Sequence, residues 1–118
     1  MILPSYSSYY WTQHAKAKMA YYKLSENRVR RVIKSPLRIE EGVAPDTIAY
    51  MQPVSYKTRN GQKIWSQELW VMIAQDNKKD AKHKIRVISA WRYPGMTKPQ
   101  AALPKAILDE ISQALETI

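Results

Sequence analysis

The chain has 118 residues, the length of one domain, and 45% of them are hydrophobic, which is enough for a packed core. Its 19 Lys and Arg against 10 Asp and Glu give a net charge of +9, so an anionic partner is expected. The absence of Cys excludes disulfides and thiolate chemistry, and no run approaches the roughly 18 apolar residues that span a membrane. No signal peptide is recognisable, so the expected location is the cytoplasm.

The first third of the chain predicts an arm and two helices. Residues 1–10 are rich in Ser and Tyr and are expected to form an N-terminal arm. From Trp11 the apolar residues recur at helical spacing, and Thr12 is a suitable N-cap for the first helix. Ser25 is the expected N-cap of the second helix, which Pro36 ends because the residue before proline avoids the helical region.

The rest of the chain predicts an antiparallel sheet and a third helix. Four runs have the apolar pattern of strands: 37–41, 47–51, 69–74 and 85–93. The run 69–74 is apolar throughout and is expected to be central, and Asn60-Gly61 is a strong hairpin-turn signal. Residues 99–117 return to helical spacing. The predicted fold is a single α+β domain over 1–118, with two N-terminal helices on an antiparallel sheet of three to five strands, plus a C-terminal helix.

The positive charge is concentrated in two segments. Between His14 and Arg38 there are eight Lys and Arg against one acidic residue, and Lys78 to Arg86 holds five against one. Acidic partners at i+4 are nearly absent, so these cations repel one another unless a polyanion binds them. The residues expected to bind nucleic acid are Lys16, Lys18, Arg28, Arg31, Lys34, Lys84 and Arg86. A nucleic acid, above all RNA, is favoured over a membrane because neither helix has a large exposed apolar face.

Metal-independent RNA cleavage is a chemistry that these residues allow. The two His are far apart and no glycine-rich phosphate loop is present, so no metal or cofactor is predicted. Cleavage without metal needs proton-transfer groups and cations at the scissile phosphate. His14 is the candidate acid or base, and Tyr93 is a candidate proton donor or base-stacking group. Arg28, Arg31 and Arg92 are candidate phosphate clamps, and Arg92 joins His14 and Tyr93 as a candidate catalytic residue.

Several short motifs within residues 11–93 follow a recognisable pattern. A His-Ala-x-x-x-Met motif begins at His14, a Ser-Glu-x-x-Val-x-x-Val-Ile helix begins at Ser25, and a Ser-Pro pair precedes a strand. The last strand closes on Ile-Ser-Ala-Trp-Arg-Tyr, ending at Tyr93. This pattern resembles an uncharacterised bacterial family allied to the BrnT toxins and, more distantly, to RelE-type toxins. The middle of the chain, 45–66, is longer than in that family.

The resemblance implies the small microbial ribonuclease fold, in which two helices pack on a curved antiparallel sheet. It implies that His14 and Arg92 belong to the site and that an acidic antitoxin is a partner. Three functions remain open: a metal-independent endoribonuclease of toxin type, a non-catalytic nucleic-acid-binding module, and a basic protein-interaction domain. The ribonuclease predicts that His14 and the arginines face one concave surface, whereas a His14 that lies away from them favours the binding module.

Overall fold

Two helices pack against a five-stranded mixed sheet, and two further strands form a separate hairpin. This architecture is seen in a computed structural model, which describes residues 9–41, 46–75 and 85–98. The elements in chain order are β1 (Tyr9–Trp11), α1 (Gln13–Tyr22), α2 (Glu26–Lys34), β2 (Arg38–Glu41), β3 (Thr47–Pro53), β4 (Lys57–Arg59), β5 (Gln62–Ile64), β6 (Gln67–Gln75) and β7 (Ile85–Pro94). The α+β class is therefore confirmed. The predicted C-terminal helix at 99–117 lies outside the described residues.

Both predicted helix starts are confirmed by their capping bonds. The Thr12 hydroxyl accepts a hydrogen bond from the Ala15 amide at 3.1 Å, and the Ser25 hydroxyl accepts one from the Arg28 amide at 3.1 Å. Each bond satisfies one of the amides that a helix start leaves without a partner. Helix α1 ends where Lys23 adopts a left-handed conformation, which turns the chain directly into α2. At 10 and 9 residues, neither of these two described helices has the length that crossing a membrane requires.

The strand order in the sheet is β1-β7-β6-β3-β2, so the apolar strand β6 is central, as predicted. The pairs β2 with β3, β3 with β6 and β6 with β7 are antiparallel. The expectation of a wholly antiparallel sheet is wrong, because β1 pairs with β7 in parallel, with Tyr9 opposite Ile85. Residues Tyr9 and Tyr10 therefore belong to the sheet rather than to an arm, and residues 1–8 lie outside the described part.

Strand β1 is held in the sheet by its first and third side chains, which face the core. Tyr9 is buried and Trp11 is partly buried against the same core cluster that the helices cover. The guanidinium carbon of Arg30, on α2, lies 5.7 Å from the ring centroid of Tyr9 and 5.6 Å from that of Trp11. These cation–π contacts join α2 to the edge strand.

The sheet is buried on both faces, which explains why residues 69–74 of β6 are all apolar. Leu69, Val71 and Ile73 point to the helix-side face, where they pack with the buried residues of α1 and α2. Trp70 and Met72 point to the second face. The register between β6 and β7 places Trp70 opposite Trp91, and their rings stack with centroids 6.1 Å apart. Because successive side chains of a strand point to opposite faces of the sheet, only every second residue can contact the helices.

Asn60 and Gly61 form the predicted turn, but between strands that stand apart from the main sheet. Both have positive φ angles, 53° and 78°, as a two-residue type I′ turn requires. The hairpin of β4 and β5, residues 57–64, is named the basic hairpin because it carries Lys57, Arg59 and Lys63 and no acidic residue. All three of these cations are exposed.

A buried carboxylate organises the second face. Glu68 is 0% exposed, and its oxygens accept hydrogen bonds from the Trp65 and Trp70 indoles, both at 2.9 Å. Thr97 donates its amide at 3.0 Å and its hydroxyl at 2.8 Å to the same carboxylate. Arg38 in turn donates to the Thr97 carbonyl at 2.6 Å and to its hydroxyl oxygen at 2.9 Å. The four bonds to Glu68 replace the water that this carboxylate loses on burial.

A buried tyrosine in β3 should make stability fall at alkaline pH. Burial raises the pKa of Tyr50 above its ordinary 10.0. Above about pH 10 the unfolded chain releases this proton first, so the stability present at lower pH is progressively lost as the pH rises. Urea unfolding between about pH 9 and 11 should show a shallower loss for Tyr50→Phe than for the wild type. An equal loss in both proteins would contradict this assignment, and Tyr21→Phe, at an exposed position, is the matched control.

Candidate nucleic-acid interface

Three arginines from two elements lie near enough to interact electrostatically on the helix-side face. Arg28 and Arg31 are one turn apart on α2 and therefore share a flank of that helix. Arg92 lies on β7 opposite Leu69, whose side chain belongs to the core under the helices. Burial and then the charges of Arg31 and Arg92 lower the pKa of Arg28 below its ordinary value. Guanidinium nonetheless stays protonated at neutral pH. Arg28, Arg31 and Arg92 are called the arginine cluster.

Hydrogen bonds hold two members of the arginine cluster in place. Arg92 donates from Nε to the carbonyl of Tyr22 at 2.8 Å. Tyr22 is the last residue of α1, where carbonyls lack helical partners and the helix dipole is negative. Arg28 donates to the side-chain oxygen of Gln52 and, at 3.5 Å, to the carbonyl of Pro53. These acceptors are neutral, so they orient the guanidinium groups without cancelling their charge.

The ion pairs of the described residues lie elsewhere. Arg30 pairs with Glu26 at 3.7 Å along α2, and Arg38 pairs with Glu40 at 2.7 Å on β2. Within residues 9–41, 46–75 and 85–98, no carboxylate forms an ion pair with the arginine cluster. Because like charges at close range repel, such an arrangement favours a bound anion.

A groove opens beside the arginine cluster. Its volume is about 570 Å³, and Arg28 and Arg31 line it together with residues 52–56. The guanidinium groups of Arg28 and Arg31 and the hydroxyls of Ser55 and Tyr56 are donors that suit the oxygens of a phosphodiester. The arrangement can bind a phosphate group by paired hydrogen bonds.

The proposed acid or base lies apart from these arginines. His14 is the second residue of α1, whereas Arg92 is bonded to the last residue, Tyr22. Eight residues of helix separate the two positions by about 12 Å along the axis. His14 and the arginine cluster therefore do not share one end of the helix, which is the arrangement that favours binding over cleavage.

Neighbouring residues on β7 point to opposite faces, so the other candidate catalytic residues are also separated. Arg92 faces the helices, whereas Tyr93 pairs opposite Glu68 and packs against the apolar cluster of the second face. Arg86 pairs opposite Ala74 and likewise belongs to the second face. His14, Arg92 and Tyr93 thus do not converge on one point in the described structure.

The lysines expected to bind nucleic acid are distributed over the helices. Lys16 on α1 and Lys34 on α2 are exposed. Lys18 lies with its amine 5.7 Å from the ring centroid of Tyr21. Lys84 lies outside the described residues. Lys34 is one turn beyond Arg31 on α2 and so continues the flank of the arginine cluster, whereas Lys16 and Lys18 lie on α1.

The Asn60-Gly61 turn was predicted, but the cations of the basic hairpin and the preceding Tyr56 were not among the predicted site residues. Tyr56 is 54% exposed and lines the same groove as Arg28 and Arg31. The signal was available, because an Asn-Gly turn flanked by Lys57, Arg59 and Lys63 predicts an exposed hairpin with positive charge on both strands.

Comparison with protein-family models, with curated proteins and with solved structures found no match to this chain. Among the described residues, no group of three or more His, Asp and Glu side chains could hold a metal ion.

Proposed function

We propose that the protein binds RNA and that the arginine cluster holds one of its phosphate groups. The observation that supports this most is that guanidinium groups from α2 and β7 lie near enough to repel one another and form no ion pair with a carboxylate of the described residues. Assembling the cluster costs free energy, since Arg28 is partly removed from water and lies near two like charges. A phosphodiester would offset that cost with hydrogen bonds between ions of opposite charge.

The choice of RNA rests on the resemblance to BrnT and RelE-type toxins and not on the groove itself. The same resemblance supports an acidic antitoxin as a partner for the positive surface. Metal-independent cleavage is the second candidate function. Arginines that are already oriented by hydrogen bonds can stabilise the negative charge that develops on a phosphate in the transition state. The distance between His14 and the arginine cluster favours binding without cleavage.

The test is a binding and cleavage assay on labelled RNA in EDTA, with salt varied from about 50 to 200 mM. Phosphate contacts release counterions, so the affinity of the wild type should fall steeply as salt rises. We expect intact RNA and an unchanged affinity for His14→Ala, because His14 lies away from the arginine cluster. Cleavage by the wild type but not by His14→Ala would establish the ribonuclease instead. Absence of any salt-sensitive binding would overturn the proposal and favour a protein partner.

A further inference from the structure

We infer that the ligand is a single-stranded polynucleotide, with one base stacked on Tyr56 and the strand continuing along the basic hairpin. This inference rests on the proposed function, because it requires a phosphate at the arginine cluster. The arginines alone specify neither the form of the nucleic acid nor a residue that contacts its bases.

Tyr56 joins three adjoining grooves. The first, of about 570 Å³, contains Arg28 and Arg31. The second, of about 210 Å³, runs past Leu37 to Lys63, and the third, of about 290 Å³, contains Lys57 and Trp65. Because all three are lined by Tyr56, a ligand can pass this ring on its way from the arginines to the hairpin.

The distance from the arginine cluster to this ring is short. The carbonyl of Pro53 accepts a hydrogen bond from Arg28, and Pro53 is three residues before Tyr56. Even a fully extended chain covers no more than about 10 Å over three residues. A phosphate at Arg28 and a base at Tyr56 can therefore belong to the same stretch of one strand.

The positive charge of the surface continues from the arginine cluster past Tyr56 to the basic hairpin. The amine of Lys63 lies 4.7 Å from the ring centroid of Tyr56, and Tyr56 is 54% exposed. From Val54 to Gln67 the sequence has no acidic residue. Cations beside an exposed aromatic ring are the usual composition of a surface that binds single strands, because bases stack on the ring while cations follow the phosphates.

Stacking on Tyr56 requires a base that is not already stacked within a duplex. In double-stranded RNA the base faces are covered by neighbouring pairs, and proteins contact mainly the backbone and the minor groove. The arginine cluster could hold a phosphate of either form, whereas Tyr56 favours the single strand. Since RNA and DNA bases offer the same aromatic face, the stacking chemistry is shared by both.

The experiment compares Tyr56→Ala with the wild type on a single-stranded RNA, the same sequence as DNA, and a blunt RNA duplex of equal length. Loss of one stacked base should weaken single-strand binding about 5- to 150-fold and leave duplex binding nearly unchanged. Tyr56→Phe should restore the affinity, because the ring rather than the hydroxyl makes the contact. Tyr21→Ala is the matched control, since Tyr21 is also exposed and also has a lysine near its ring.

The outcomes separate this inference from the proposed function. Unchanged single-strand affinity in Tyr56→Ala, with Arg31→Ala still weakened, would overturn the inference and leave the phosphate site standing. Tighter binding of the duplex than of the single strand would also overturn it. Equal losses on RNA and DNA strands would support the inference for either polynucleotide, and a larger loss on RNA would support it with RNA as the ligand. No binding to any of the three by the wild type would overturn both.

Discussion

Glu68→Ala should lower the free energy of unfolding by roughly 3–5 kcal/mol, a large effect for a single substitution. Removal of the carboxylate leaves the Trp65 and Trp70 indoles and both Thr97 donors without their acceptor. The Trp70 donor is buried and the other three are partly buried. An unsatisfied buried donor costs about 1–3 kcal/mol, and less where water can reach it. Urea denaturation measures the change.

Two further variants make the Glu68 result specific. Glu68→Gln keeps one acceptor oxygen but turns an NH₂ group towards existing donors, so its loss should lie between those of the wild type and Glu68→Ala. Glu41→Ala removes a carboxylate from the exposed side of β2 and should change stability by no more than about 0.5 kcal/mol. A loss below about 1 kcal/mol for Glu68→Ala would contradict the role of Glu68 as the central acceptor of the second face.

The double substitution Arg28→Ala with Arg31→Ala should weaken RNA binding at least about 100-fold at low salt. Hydrogen bonds to charged groups contribute about 1.5–3 kcal/mol each, and two such donors are removed from the groove. The slope of log affinity against log salt should also become shallower by about 0.7, because the arginine cluster holds one phosphate and each phosphate contact to a single strand contributes about 0.7. Fluorescence anisotropy over a salt series gives both quantities.

Lys98→Ala is the control for net charge. Lys98 is exposed and follows Thr97, which is bound to Glu68 on the second face, away from the helices. A slope that changes equally in Lys98→Ala and Arg31→Ala would mean that total charge, and not the arginine cluster, determines the affinity. Thermal unfolding of each variant without RNA checks that the fold is retained, which matters because Arg28 also bonds Gln52 and Pro53.

Local signals in the sequence were sufficient for the positions of most elements. Thr12 and Ser25 begin helices because their hydroxyls can satisfy an amide three residues later, and this depends on neighbouring residues only. Asn60-Gly61 turns the chain because both residues tolerate positive φ. The central place of β6 followed from an apolar run without alternation, which predicts burial on both faces.

Features that depend on distant residues were not predictable in the same way. The partner of β1 is more than 70 positions away, and three residues carry too little periodicity to show a strand. The burial of Glu68 depends on indoles and on Thr97 meeting at one point, which composition does not indicate. Arg92 and Tyr93 were treated as one site, although alternation along β7 places their side chains on opposite faces.

The parallel pairing of β1 with β7 also has a consequence for the order of folding. The Thr12 hydroxyl donates to the Val87 carbonyl at 3.0 Å, a contact between residues 75 positions apart. At a synthesis rate of about 5–20 residues per second, the ribosome completes β1 roughly 4–15 seconds before it begins its partner strand β7. Contacts of such long range are late and slow to form, since the intervening chain must first be ordered. We therefore expect β1 to join the sheet last and to exchange its amide hydrogens fastest among the strands of the main sheet.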